Sequence, residues 1–171
     1  MSLYVFLDID GVLNTYKDWH IPYTVNSKNI ISFAKAMERF PEARIILTSS
    51  WRTGWDKDFS KCTPQIQELI NAFKEYGLAI YDVTRVSVSK DRGAEVLHYV
   101  KWHNVSEYIV IDDDINEFIT ALPKIQLVDP ETGFVKIDKK KICRNREDSE
   151  HYYKTIQYKD KVKKKDISFE R

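Results

Sequence analysis

Apolar and polar positions along this chain keep changing period. Short, mostly apolar runs at residues 3–7, 43–47, 78–83, 108–111 and 125–128 read as buried strands. Between them, apolar residues recur at helical spacing. Ile30, Ile31, Phe33, Ala34, Met37 and Phe40 form one such face, stopped by Pro41. Ile66, Leu69, Ile70 and Phe73 form a second, behind Thr63-Pro64, an N-cap with proline at the first helical position, and ahead of Gly77 as C-cap. A third runs from Asp91 to about His103, with Ala94, Leu97 and Val100 on one side. Ile115, Phe118, Ile119 and Leu122 make a fourth, ended by Pro123. Strands alternating with helices predict an α/β fold, a central parallel sheet of about five strands with helices on both faces. Such sheets bind ligands beyond the C-terminal ends of their strands.

Composition adds boundaries. A chain of 171 residues, 43% apolar and 31% charged, is long enough for one domain with a full core. The net charge of +1 hides an asymmetry: residues 138–171 hold 12 Lys/Arg against 7 Asp/Glu, a net of +5, which leaves −4 for residues 1–137. The chain thus divides into a core, 1–137, and a basic C-terminal helical extension or tail, 138–171. Its lysine run at 159–165 reads as a solvated face before it reads as a nucleic-acid site. Two cysteines, Cys62 and Cys143, have no paired spacing, which argues against disulfides or zinc and favours a reducing, cytoplasmic setting. The first apolar run ends at Asp8, too short for a signal peptide or a membrane span.

The candidate chemistry sits where the expected strands stop. Asp8 and Asp10 follow the first strand, with Gly11 breaking it so that both carboxylates crowd one point. Crowded carboxylates repel unless a cation or a shared proton compensates. Thr48, Ser49 and Ser50 follow the second strand, Lys90 precedes the third helix, and Asp112, Asp113 and Asp114 follow the fourth strand. Each group alone is an ordinary cap or turn; Asp114 reads as a helix cap and Ser50 as a loop hydroxyl. Together they suit phosphoryl transfer through a covalent aspartyl intermediate. One carboxylate attacks, a second protonates the leaving oxygen and then activates water, and a hydroxyl and a cation neutralise charge on the phosphoryl oxygens. Mg²⁺ is the fitting metal for such carboxylates. Trp51, Arg52 and Trp55 follow the second strand; arginine can grip a phosphate and tryptophan can stack on a base, although packing under the loop is the simpler role for Trp51. A phosphate-accepting receiver domain uses similar groups, but its acidic pair comes first in the chain, whereas here it trails Lys90.

Asp8-x-Asp10-Gly11-Val12, Thr48, Lys90 and Asp112-Asp113 resemble, in order, the four motifs of the haloacid dehalogenase (HAD) superfamily, with its Rossmann-like fold. The stretches 6–14, 47–52, 92–96 and 110–114, with Asp129-Pro130-Glu131-Thr132-Gly133, resemble the HAD domains of phage and bacterial RNA-repair proteins. The resemblance covers residues 3 to about 137. It implies Asp8 as nucleophile and Mg²⁺ ligand, and Asp10 as general acid/base and a metal contact. Thr48 would bind the phosphoryl oxygen, with Ser49 as rival. Lys90 would screen the phosphate, with Arg92 as rival because the subgroup's Arg-Gly-x-Glu pattern centres on it. Asp113 and Asp112 would complete the metal site, and Ser49, Arg52 and Arg92 would bind substrate. No cap domain fits in residues 14–27 or 84–89, so the site is expected to be open and to suit a large phosphorylated substrate, such as a nucleic-acid end or a nucleotide. The alternatives are a small-molecule nucleotide or sugar phosphatase, and a non-catalytic phosphate- or nucleic-acid-binding module.

Overall fold

A computed structural model describes residues 2–138 other than 23, 121 and 123. Five strands make one sheet: β1 (Tyr4–Leu7), β2 (Arg44–Leu47), β3 (Ile80–Val83), β4 (Tyr108–Asp112) and β5 (Ile125–Leu127). All neighbours are parallel, in the order β3-β2-β1-β4-β5. Three helices connect them: α1 (Ser27–Met37), α2 (Pro64–Glu75) and α3 (Arg92–Trp102). The architecture is the expected Rossmann-like one.

Period-two alternation sorts the strand residues between two cores. Val5, Leu7, Ile45, Leu47, Ile109 and Ile111 pack with Ile30, Phe33, Ile66, Leu69 and Phe73 from α1 and α2. Phe6, Ile46, Tyr108 and Val110 point to the opposite face, against Val96 and Tyr99 of α3. Both faces are covered, which is why the central strands β1 and β4 read as nearly continuous apolar runs rather than alternating ones. After β1 the chain leaves to one side through α1 and β2; β4 lies on the other side. The sheet order therefore reverses at β1, and a crevice opens between the ends of β1 and β4.

The fourth expected helix does not form. Residues 115–117 make one 3₁₀ turn, and the chain then runs irregularly. Ile115, Phe118 and Leu122 are buried, yet Ile119 is 77% exposed, so the four apolar positions do not share one helical face. The competing partner is Asp91, whose carboxylate accepts from the Thr120 amide (3.1 Å) and the Thr120 hydroxyl while also capping α3 through Ala94 N (3.3 Å). Gly93 permits this close approach, because a Cβ there would overlap the Thr120 carbonyl oxygen. Smaller differences also occur. The helix expected to run through Phe40 starts earlier, capped by Asn26, and stops at Met37, and β3 starts at Ile80 rather than 78. Two unforeseen 3₁₀ turns follow β2, at Ser50–Gly54 and Phe59–Lys61.

Asp91 gives a stability prediction. Burial raises its pKa, but the hydrogen bonds from Thr120, Ala94 and Gly93 outweigh burial and hold the carboxyl below its usual value. A carboxyl with a depressed folded pKa contributes stability above its unfolded value, and that contribution fades as pH falls through the folded one. Asp91→Ala is expected to cost about 2 kcal/mol near neutrality, through the lost cap and the unpaired Thr120 groups. In urea melts the deficit should shrink below about pH 4.

The segments between Asn14 and Asn26 and between Thr84 and Lys90 contain no helix or strand among the described residues, so neither builds a folded cap there. The expected extension over 138–171 lies, from residue 139 on, outside the described residues, as does Cys143. Among the described residues no helix is long and apolar enough to cross a membrane.

Candidate active site

The ends of β1, β2 and β4 and the start of α3 bring the strand-end groups to one edge. The ladder carries Asp8 beyond β1, since its amide still donates to Ile111 O at 3.0 Å. Gly11, at φ +75°, then turns the chain sharply, and the amides of Val12 and Leu13 both return to Ile9 O. Gly11 also makes room for a neighbour: a Cβ there would overlap the Asp113 carboxylate.

Asp8 and Asp112 are buried, and Asp113 is partly buried beside them. One carboxylate oxygen from each of the three lies within 4.8 Å of the others. Arg92, also buried, offsets part of this charge. Its Nη1 donates to Asp8 Oδ1 (2.9 Å) and Asp112 Oδ2 (2.6 Å), and its Nη2 pairs with Glu117. The second oxygen of Asp112 accepts from the Asp114 amide at 2.9 Å. Asp112 is thus committed on both oxygens and positions Arg92 and the turn. Asp8 keeps Oδ2 for other partners, and the Asp113 carboxylate is engaged only by its own backbone amide among the hydrogen bonds of the described residues.

The electrostatics match. Burial, then the Asp112 charge, raise the Asp8 carboxyl well above its usual pKa, against the pull of Arg92 and with help from Asp113 and Asp10. Burial, Asp112 and Asp114 push Asp113 up to about 7. Burial lifts Asp112 to about 6 despite Arg92. One guanidinium does not compensate three carboxylates in a low-dielectric crevice. An all-oxygen, multiply anionic cluster with no His or Cys suits a hard divalent cation, and the glycine that opens space at Asp113 is consistent with that use.

Asp10 is less buried and is held from two sides. Asn14 Nδ2 donates to Oδ1 and Trp51 Nε1 to Oδ2, both at 2.9 Å. Asn14 Oδ1 in turn accepts from the Gly11 amide (2.8 Å) and Trp19 Nε1 (3.0 Å). Thr48 is fully buried, its amide on Leu7 O, and its hydroxyl is one of two buried side-chain polar atoms without a hydrogen-bond partner among the described residues. Ser49 differs: its hydroxyl accepts from Trp51 N at 3.4 Å and caps the 3₁₀ turn. The Thr48 hydroxyl thus has no protein partner, whereas Ser49 Oγ accepts one bond and keeps its own proton to donate.

Lys90 does not join the cluster. It is exposed in a left-handed conformation (φ +53°) that ends the loop before Asp91, and the cation that reaches Asp8 is Arg92. The reason is periodicity: Arg92 opens α3 and points under it to the strand ends, whereas Lys90 precedes the cap. Arg52 is buried against Glu95, Nη2 to Oε2 at 2.7 Å, with Nη1 on Ser49 O (3.2 Å); its Nε is the other unpartnered atom. Glu95 also accepts from Ser87 N at 2.6 Å, so the pair ties the loops after β2 and β3 together. Sequence reasoning missed the partners Glu95, Glu117 and Asn14, and read Trp51 as a stacking or packing residue rather than as a hydrogen-bond partner of Asp10. Glu95 stood in the Arg-Gly-x-Glu pattern and Asn14 in the first motif's stretch. Nothing in the spacing pointed to Glu117.

Comparison with curated proteins and with solved structures returns no match. Residues 4–138 match the family described as the HAD domain in Swiss Army Knife RNA repair proteins. This match runs from β1 past the last described strand and takes in every group at the crevice. The chain belongs to that family, and so to the HAD superfamily.

Proposed function

We propose that this domain is a Mg²⁺-dependent phosphomonoesterase that works through an aspartyl-phosphate on Asp8. The observation that supports this most is the buried Asp8 carboxylate, poised between Arg92 and Asp113 at the β1/β4 crevice, with the orphaned Thr48 hydroxyl on the β2 side. Family membership supports a phosphatase-type hydrolase at the superfamily level.

An Asp8 oxygen attacks phosphorus while the bond to the leaving oxygen breaks, and Asp10 gives that oxygen a proton. Asp10, now a carboxylate held by Asn14 and Trp51, takes a proton from water as the water attacks phosphorus. Inorganic phosphate leaves and the Asp8 carboxylate returns. The Thr48 hydroxyl and the Arg92 guanidinium meet charge on the phosphoryl oxygens. Asp8 and Asp113 would hold the cation, which supplies charge neutralisation at the phosphate. With no folded cap among the described residues, the site suits a substrate that excludes water itself, such as a nucleic-acid end or a nucleotide.

The test is phosphate release, with and without Mg²⁺, from an aryl phosphate, a sugar phosphate, and 3′- and 5′-phosphorylated oligonucleotides. The expected result is Mg²⁺-dependent release, with an oligonucleotide preferred. Preference for the sugar phosphate would indicate a small-molecule enzyme. No release from any of them by folded protein would overturn the proposal in favour of a binding module.

A further inference from the structure

A cavity of about 360 Å³ opens beside Asp10, lined by Asp10, Asn14, Trp19, Ile21, Pro22 and Trp51. We infer that it receives the base of the leaving nucleoside, so that this domain selects substrates whose phosphate sits next to a nucleobase. The inference rests on the phosphatase reading above and specifies what lies beyond the phosphate.

Position is the first argument. The general acid must sit at the leaving oxygen. A cavity walled by Asp10 therefore adjoins whatever that oxygen carries. Chemistry is the second. The walls are two indoles, an isoleucine and a proline, with an amide and a carboxylate at one end: a setting for a flat ring with a polar edge. A sugar or glycerol leaving group would find few donors or acceptors in it.

The third argument is order. Trp19 is 47% exposed and Ile21 54% exposed, yet Trp19 is not free to swing. Its indole N–H is fixed on Asn14, and its ring meets Tyr16 edge to face at 4.4 Å. Asp18 anchors the same loop through the Thr15 amide and hydroxyl, both at 2.8 Å. An exposed aromatic ring held in place costs little entropy when a ligand stacks on it. Trp51 forms the inner wall and is 7% exposed, its N–H on Asp10. One chain of hydrogen bonds, Trp19 to Asn14 to Asp10 to Trp51, thus joins the walls of the cavity to the acid.

The experiment compares pairs of phosphorylated oligonucleotides, identical except that the terminal phosphorylated residue carries a base or is abasic. A mononucleotide and the matching abasic sugar phosphate form a second pair, which distinguishes a nucleic-acid end from a free nucleotide. Stacking of about 1–3 kcal/mol per base implies a kcat/KM about 5- to 150-fold higher for the base-bearing member, expressed mainly in KM. Trp19→Ala is expected to bring that ratio towards one, and Trp19→Phe to keep most of it. Release at equal rates from both members by the wild-type protein would overturn the inference and leave the phosphatase reading standing. If nothing is hydrolysed, the phosphatase reading falls. The cavity is then judged by anisotropy of labelled, unphosphorylated oligonucleotides: tighter binding of the base-bearing end supports it, and equal binding overturns it.

Discussion

Asp8→Asn is expected to lower phosphate release by on the order of 10⁴-fold or more, because the amide cannot form the acyl phosphate that divides the reaction into two steps. The same substitution should not unfold the domain. Asp8 is buried, and its charged form is opposed first by burial, then by Asp112, Asp113 and Asp10, with only Arg92 in its favour. A neutral isostere removes that conflict while its side-chain oxygen can still accept from Arg92. Thermal melts at pH 8 without divalent cations should therefore show Asp8→Asn at least as stable as the wild type, an instance of a site kept at the expense of stability. A dead but less stable variant would instead mark Asp8 as a structural partner of Arg92.

Arg92→Ala is expected to destabilise the cation-free protein by about 3 kcal/mol at pH 8, the usual cost of removing one member of a buried ion pair. Three carboxylates depend on this guanidinium: Asp8, Asp112 and Glu117. The deficit should depend on pH and on metal. Asp112 and Asp113 titrate near 6 and 7 in the folded state, above the usual carboxyl value. A raised folded pKa means stability that is present below about pH 4 and is lost as pH climbs through the folded values. The cluster therefore weakens the cation-free protein between pH 4 and 7, more so in Arg92→Ala. On the proposed reading, Mg²⁺ binding to the ionised carboxylates would reverse the loss by mass action. The gain in melting temperature on adding Mg²⁺ should rise from pH 5.5 to pH 8, and be larger in Arg92→Ala than in the wild type. Equal gains in both proteins at all pH values would mean that the metal does not share these carboxylates with Arg92.

The alternation of short apolar runs with helical faces was sufficient to specify five parallel strands and three of the helices, because buried parallel strands need apolar side chains on both faces and their crossovers need one apolar stripe. That patterning also placed Asp8, Asp10, Thr48 and the Asp112–Asp113 pair at strand ends, where this architecture opens a crevice. The sequence by itself could not decide between partners. Thr48 and Ser49 are adjacent and chemically alike; only the 3₁₀ turn, which takes the Ser49 hydroxyl as its cap, leaves the Thr48 hydroxyl without one. Lys90 and Arg92 are two residues apart; the cap at Asp91 puts one before the helix, in solvent, and the other beneath it, on Asp8. The apolar spacing at 115–122 promised a helix, and a long-range bond from Thr120 to Asp91 outweighed it. What local pattern determines here is the order of the strands and of the three helices between them. Which of two neighbouring polar groups is free to act depends on hydrogen bonds between distant segments, and those exist only once the sheet has closed around them.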